Sequence, residues 1–277
     1  MARQLIGVKP QHGFSIDASA SFADYFIYER GFATDEEATN YNLLGGKQQF
    51  ADNQLTTGDA GSSITIRNLH VDFHGGSGDD NVSWTLGQTY QHYDALKPSF
   101  DGGAGDDTLT IDLSDQVIPL TMKPAVIYGE FNVGKPSYRE LAGLITNFEH
   151  FNFTGGSADD EIQGGASTDR LDGGAGRDLI VGNGGKDILT GGAGGDFFKF
   201  NVGDSGIGGN NRDIINDFQT GLDKIDLTAL GVGTAVKITQ TASGSLLQID
   251  ADHNGSFEMQ ISTVGHVAET DLLFQYV

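Results

Sequence analysis

The chain contains no cysteine, so disulfides contribute nothing to its stability and the redox state of its compartment leaves no trace. Basic residues are few, 16 against 38 acidic, and the formal charge is −22. Such a balance excludes nucleic acid and anionic membrane surfaces as partners unless bound cations reverse the local sign. No apolar run approaches the roughly 20 residues of a membrane-spanning helix. The opening stretch, MARQLIGVKPQHGF, offers only Leu5-Ile6-Gly7-Val8 before polar residues return, and no cleavage-site pattern follows. It is not a conventional signal peptide, and export would need another signal. Catalytic motifs are missing as well. Neither H-E-x-x-H nor G-x-S-x-G occurs, and Gly203-Asp204-Ser205-Gly206 has no matching histidine and acid context. The expectation is a protein that is not an enzyme.

What is abundant is glycine, 41 residues, and much of it is periodic. From Gly155 to Lys199 the chain reads in nines: GGSADDEIQ, GGASTDRLD, GGAGRDLIV, GNGGKDILT, GGAGGDFFK. Isolated copies stand at 75–83 (GGSGDDNVS) and 102–110 (GGAGDDTLT). Place one is always glycine: Gly75, Gly102, Gly155, Gly164, Gly173, Gly182 and Gly191. Place six is always aspartate: Asp80, Asp107, Asp160, Asp169, Asp178, Asp187 and Asp196. Place eight is apolar: Val82, Leu109, Ile162, Leu171, Ile180, Leu189 and Phe198. Glycine permits positive φ and close approach of neighbouring turns. A six-residue turn and a three-residue strand can therefore repeat, with place-eight side chains filling a thin core between two sheets.

The aspartates decide the rest. Coils stacked about 4.8 Å apart would line up carboxylates that repel by roughly 3.5 kcal/mol per pair at an effective dielectric of 20. A hard cation taking six to eight oxygen ligands answers that repulsion. Its donors would be the place-six carboxylates and turn oxygens. The latter belong to place one, to place three (Ser77, Ala104, Ser157, Ala166, Ala175, Gly184, Ala193) and to place five (Asp79, Asp106, Asp159, Thr168, Arg177, Lys186, Gly195). Stacked loops are two units apart, which pairs Asp160 with Asp178, Asp169 with Asp187, and Asp178 with Asp196. A disordered acidic linker would not carry an apolar residue at every ninth position.

These repeats resemble the RTX (hemolysin-type) family of calcium-binding repeat proteins exported by bacterial type I systems. Downstream, DIINDFQTGLDKIDLTAL is similar to the segment that closes the roll in serralysin-type exoproteins, and the tail AETDLLFQYV resembles uncleaved C-terminal export signals. The resemblance covers 155–277, partly 71–115, and not 1–60. It implies an all-β parallel β-roll, or β-solenoid, Ca2+ as cofactor, type I secretion machinery as partner, and an extracellular location. The freedom from cysteine suits a chain that must stay unfolded during export.

Three regions are expected: an N-terminal cap over 1–63, the calcium-binding roll over 64–200 with an insertion at 116–147, and a C-terminal capping and secretion region over 201–277. In the cap, Phe22, Tyr25 and Phe26 have helical spacing, and Thr34-Asp35-Glu36-Glu37 reads as a capping box for a short helix toward Leu44. Ser137-Tyr138-Arg139-Glu140 suggests a second brief helix ending near Ile145. The alternation around Ile64, Ile66, Leu69, Val71 and Phe73 reads as strand. The two isolated copies, 27 residues apart, read as lengthened coils stacked in one column: Asp80, Asp107, Asp160, Asp178, Asp196. His70, Asp72 and His74 share one strand face, more simply solvated than metal-binding. GGNNRDIIN at 208–216 is a degenerate repeat. Asp250 to Gly255 forms a hairpin turn that partly imitates an EF-hand loop but has Ile261 at position twelve.

The function expected from this reading is a secreted calcium-binding protein that folds on meeting external calcium. Its role would be adhesive, with a cell-surface or polysaccharide ligand. The alternative is a carrier portion of a larger exoenzyme such as a protease, lipase or epimerase. A third reading places a calcium-using catalytic site in 1–70 or 111–147.

Overall fold

A computed structural model describes residues 4–5, 14–18, 25–28, 39–45, 54–56, 62–67, 72–86, 98–130 and 140–275. Among the described residues there is no α-helix, only two single-turn 3-10 segments, Thr228–Leu230 and Glu269–Asp271. Strands account for the rest of the regular structure, and most pair in parallel. The chain divides into two units, Met1–Gln116 with Pro124–His150, and Val117–Lys123 with Phe151–Val277.

The second unit contains the run of five repeats. Successive strands alternate between two sheets. One sheet takes Leu120–Lys123, Glu161–Gln163, Leu179–Val181, Phe197–Lys199, Lys224–Asp226 and Leu272–Leu273 in that order. The other takes His150–Thr154, Arg170–Asp172, Ile188–Thr190 and Asp213–Ile215, then Met259–Val264, Gly244–Asp250 and Ala235–Gln240. Partners within the repeats lie 18 residues apart, as in Ile162 with Ile180 and Leu171 with Leu189. With period-two side-chain alternation, a three-residue strand aims only its middle residue inward. Ile162, Leu171, Ile180, Leu189 and Phe198 are accordingly all fully buried. The last three strands of the second sheet are antiparallel to one another, which supplies the expected hairpin at 244–264.

In the first unit the same alternation holds with longer coils. Asn81–Thr85 lies between Ser62–Arg67 and Thr108–Asp112, all parallel. Asp72–His74 lies between Gln54–Thr56 and Ser99–Asp101. Five-residue strands bury two or more inward side chains, so Val82 and Trp84, and Leu109 and Ile111, are sealed. Trp84 meets Phe100 across the core at 5.7 Å between ring centroids.

Both expected helices give way to strands. Thr39–Gly45 pairs in parallel with Phe14–Ala18 on one side and Ser62–Arg67 on the other. Tyr25–Tyr28 is likewise a strand, whereas the capping-box residues 34–37 and Phe22 fall outside the described residues. The second case is Glu140–Thr146, antiparallel to Val126–Glu130 and parallel to Ser99–Asp101. A capping box is worth one or two local hydrogen bonds. Flanking strands on both sides pair with the described residues of each segment, and that advantage wins.

Candidate metal centre

Each repeat's aspartate enters the strand that follows its turn, and its carboxylate is held beneath the turn glycines. Asp80, Asp107, Asp178, Asp187 and Asp196 have no exposed surface, and Asp160 and Asp169 have almost none. In four of them Oδ1 is tied to the preceding coil. Asp178 Oδ1 accepts the Asp160 N–H at 2.7 Å, Asp187 Oδ1 that of Asp169 at 2.8 Å, and Asp196 Oδ1 that of Asp178 at 3.0 Å. Asp107 Oδ1 accepts from Asp80 at 2.7 Å. The structure thus brings together the three pairs the spacing specified, and Asp80 with Asp107.

The other oxygen is the telling one. Oδ2 of Asp107, Asp178, Asp187 and Asp196 is buried and accepts no hydrogen bond. Such groups are rare and costly unless something outside the protein completes them. The place-one glycines show what surrounds this oxygen. A Cβ on Gly173 would lie 2.4 Å from Asp178 Oδ2 and 2.7 Å from the carbonyl oxygen of Gly191 in the next coil. On Gly155 it would lie 2.5 Å from Asp160 Oδ2 and 2.3 Å from Gly173 O. At Asp178 the carboxylate and carbonyl oxygens therefore crowd one cranny with no donor to Oδ2, whereas Asp160 Oδ2 accepts the Gly156 N–H at 2.8 Å; at both, glycine alone leaves the space. This oxygen-only donor set fits a hard divalent cation.

The electrostatics agree. Burial, above all, pushes the carboxyls of Asp107, Asp160 and Asp196 up to about 6, and that of Asp178 up to about 7. Asp187 rises to about 9 because burial is joined by the charge of Asp213. Without a cation the folded chain therefore disfavours the charged form of each of these carboxyls.

Places three and five act differently. The Ala175 and Ala193 N–H groups donate to the carbonyls of Gly156 and Gly174, at 2.8 Å each, stitching adjacent turns. At place five, Asp79 Oδ1 accepts the Asp106 N–H and Asp159 Oδ1 the Arg177 N–H, both at 2.9 Å. Arg177 also lies over the Phe197 ring at 4.5 Å.

The single column from Asp80 through Asp107 to Asp160 does not form. Asp107 N–H donates instead to Glu149 Oε2 at 2.9 Å, and Asp160 Oδ1 accepts from Leu120 N–H at 2.8 Å. The insertion supplies a coil of its own: Leu120–Lys123 pairs with Glu161–Gln163, and Lys123 Nζ reaches Glu161 at 2.7 Å. The ladders also extend beyond the repeats. Asp187 N–H donates to Asp213 Oδ1 at 2.9 Å, and Asp196 N–H to Asp223 Oδ1 at 3.0 Å. Asp213 is fully buried with Oδ2 unpartnered. Asp223 was legible in principle, since it follows Asp196 by 27 residues, the spacing that separates Asp80 from Asp107. Asp217 caps the last repeat, its two oxygens accepting the Gly191 and Gly192 N–H groups.

The histidine-bearing strand is unremarkable as a metal site. Asp72 accepts a hydrogen bond from Ser99 Oγ at 2.7 Å, and His74 lies 3.8 Å from Asp101. His70 is outside the described residues.

The sequence profile of the family described as "Peptidase M10 serralysin C terminal" matches residues 47–277. The chain belongs to that family. The match takes in every aspartate ladder described above and carries the serralysin C-terminal, RTX-type assignment across most of the chain. No curated protein sequence matches it. Among solved structures it is similar to the extracellular lipase LipA from Serratia marcescens, at 14% identity and a TM-score of 0.26. That alignment covers 86% of this chain and 45% of the lipase, so this chain spans under half the lipase's length.

Proposed function

We propose that this serralysin C-terminal chain is a secreted, calcium-dependent β-roll that folds outside the cell and serves as the carrier portion of a type I exoprotein. The observation that carries it is the set of buried place-six aspartates Asp107, Asp178, Asp187 and Asp196, whose Oδ2 atoms have no protein donor. Calcium is the ion that family membership implies. The residues that would hold it are the paired aspartates Asp160 and Asp178, Asp169 and Asp187, Asp178 and Asp196, Asp187 and Asp213, and Asp80 and Asp107, with turn carbonyls such as Gly173 and Gly191. Bound calcium would supply positive charge and replace the missing donors.

The chain's own residues then make folding and binding one event. In a low-calcium interior the stacked carboxylates oppose compaction. Outside, calcium at concentrations matching the affinities of extracellular modules, about 10⁻⁴ to 10⁻³ M, traps the folded state. The tail fits this order of events. Asp271 is fully buried and Leu272 nearly so, and Leu272–Leu273 pairs with Lys224–Asp226. An export signal in 268–277 is therefore readable only before the roll closes.

The carrier reading is favoured over an adhesive one by the family description, which names the C-terminal part of a peptidase. The chain itself is read as non-catalytic. Far-ultraviolet circular dichroism with and without calcium tests the folding claim. Fusion of an unrelated passenger to this chain, followed through a type I exporter, tests the carrier claim; retention of the passenger inside the cell would refute it.

A further inference from the structure

The hairpin joining Gly244–Asp250 to Met259–Val264 lies apart from the glycine turns and gathers a second set of carboxylates. Asp250, Asp252 and Glu258 each place an oxygen within 4.8 Å of the other two. Asp250 is buried, and its Oδ1 and Oδ2 accept the N–H groups of Asn254 at 3.1 Å and Gly255 at 2.9 Å. Asp252 is exposed and accepts from the backbone and side chain of Asn254. Glu258 Oε2 accepts the Ala251 N–H at 3.1 Å. Glu258 Oε1, however, is sealed from solvent and has no hydrogen-bond partner.

That orphaned oxygen is the independent sign of a ligand. A sealed carboxylate oxygen without a donor, on a half-buried side chain that clusters with two further carboxylates, is unfavourable unless a cation completes it. Among the described residues, no lysine, arginine or histidine forms an ion pair with any of the three. Oxygen-bearing side chains also fall on alternate positions through the turn, Asp250, Asp252, Asn254, Ser256 and Glu258. This is the spacing at which a calcium loop offers its first five ligands. Ile261 at position twelve lacks the usual bidentate carboxylate, and the glutamate stands at position nine instead.

We infer that this hairpin binds one divalent cation of the calcium class, held by Asp250, Asp252 and Glu258. The all-oxygen donor set selects a hard ion over zinc or copper. The site is separate from the aspartate ladders, although Met259–Val264 pairs with Asp213–Ile215, so the ion would fasten the C-terminal sheet to the last coil of the roll.

The test uses the full chain and calcium chloride. Equilibrium dialysis counts bound calcium for the unaltered chain, for Glu258→Gln and for Asp252→Asn, while amide resonances report 250–258 and 155–199 separately. The expected result is one calcium fewer for Glu258→Gln, or an affinity at one site weakened by about tenfold or more. Calcium-induced shifts at Asn254 and Gly255 should be lost, with those at 155–199 retained. Asp252→Asn alters an exposed side chain, so it keeps the test open if Glu258→Gln does not fold. An unchanged stoichiometry and unchanged shifts at 250–258 in either folded variant would overturn the inference. Failure of the ladder account would appear instead as calcium-insensitive amides at 155–199.

Discussion

Replacing Asp178 by asparagine should have opposite effects with and without calcium. Oδ1 of this residue accepts the Asp160 N–H, and an amide oxygen can do the same. Oδ2 faces the Gly191 carbonyl without a donor, and there an amide NH₂ is better suited than a carboxylate. In the cation-free fold the Asp178 carboxyl is pushed from 3.8 up to about 7. At neutral pH that difference destabilises the metal-free fold by about 4 kcal/mol, and asparagine relieves up to that amount. With calcium, Asp178 stands in two pairs, with Asp160 and with Asp196. A site filled at a hundred times its Kd stabilises by about 2.7 kcal/mol, so losing both removes about 5 kcal/mol of calcium-dependent stability. At about 2–4 °C per kcal/mol for a chain of this size, the melting temperature in chelator should rise by about 8 °C or more, or a β signal should appear where there was none. In saturating calcium it should fall slightly. Thermal melts followed by circular dichroism in both conditions read this directly. Equal losses in chelator and in calcium would show instead that Asp178 is an ordinary structural hydrogen-bonding residue.

Acidity should imitate calcium in part. The folded, cation-free carboxyls of Asp107, Asp160, Asp178, Asp196 and Asp213 are raised to about 6 or 7, so the fold prefers their protonated forms. Their stability contribution is complete near pH 4 and is lost as pH rises toward 7; pH titration of the β signal in chelator should show this loss. By the same linkage, adding calcium at pH 7 in weak buffer should release protons, and calcium affinity should fall as pH drops below about 6. Gly173→Ala places a methyl 2.4 Å from Asp178 Oδ2 and should cost about 1–3 kcal/mol, seen as a higher calcium midpoint. Leu189→Ala removes a fully buried place-eight side chain and should cost about 2–5 kcal/mol in calcium, measured by urea denaturation.

How far these features could be read from the chain depends on the range of the signal. In the nonapeptides each residue's role is set by its own turn and by a partner 18 positions away. Thus Gly173, Asp178 and Ile180 could be placed, and paired, from spacing alone. Where the coil length varies, spacing stops being a guide. Glu149 takes the rung expected for Asp160, because the insertion contributes the strand Leu120–Lys123 beside Glu161–Gln163. Asp213 and Asp223 continue the ladders after loops of irregular length, Asp213 in the degenerate repeat at 208–216 and Asp223 without glycine at place one. The helices expected near Leu44 and Ile145 rested on four-residue capping patterns. Parallel neighbours distant in sequence decide those segments, and no local pattern registers them. Glu258 stands at position nine of a turn whose position twelve is Ile261, so the calcium-loop pattern does not single it out; that its Oε1 is sealed is a fact of packing alone.

The most direct measurement is hydrogen exchange across residues 155–199 as calcium is titrated from zero. The stacked-aspartate account requires the amides of Asp160, Asp169, Asp178, Asp187 and Asp196, each donated to the next aspartate or its counterpart, to be unprotected in chelator and to gain protection together as calcium binds. Protection already present in the stripped chain, and unchanged by calcium, would contradict it.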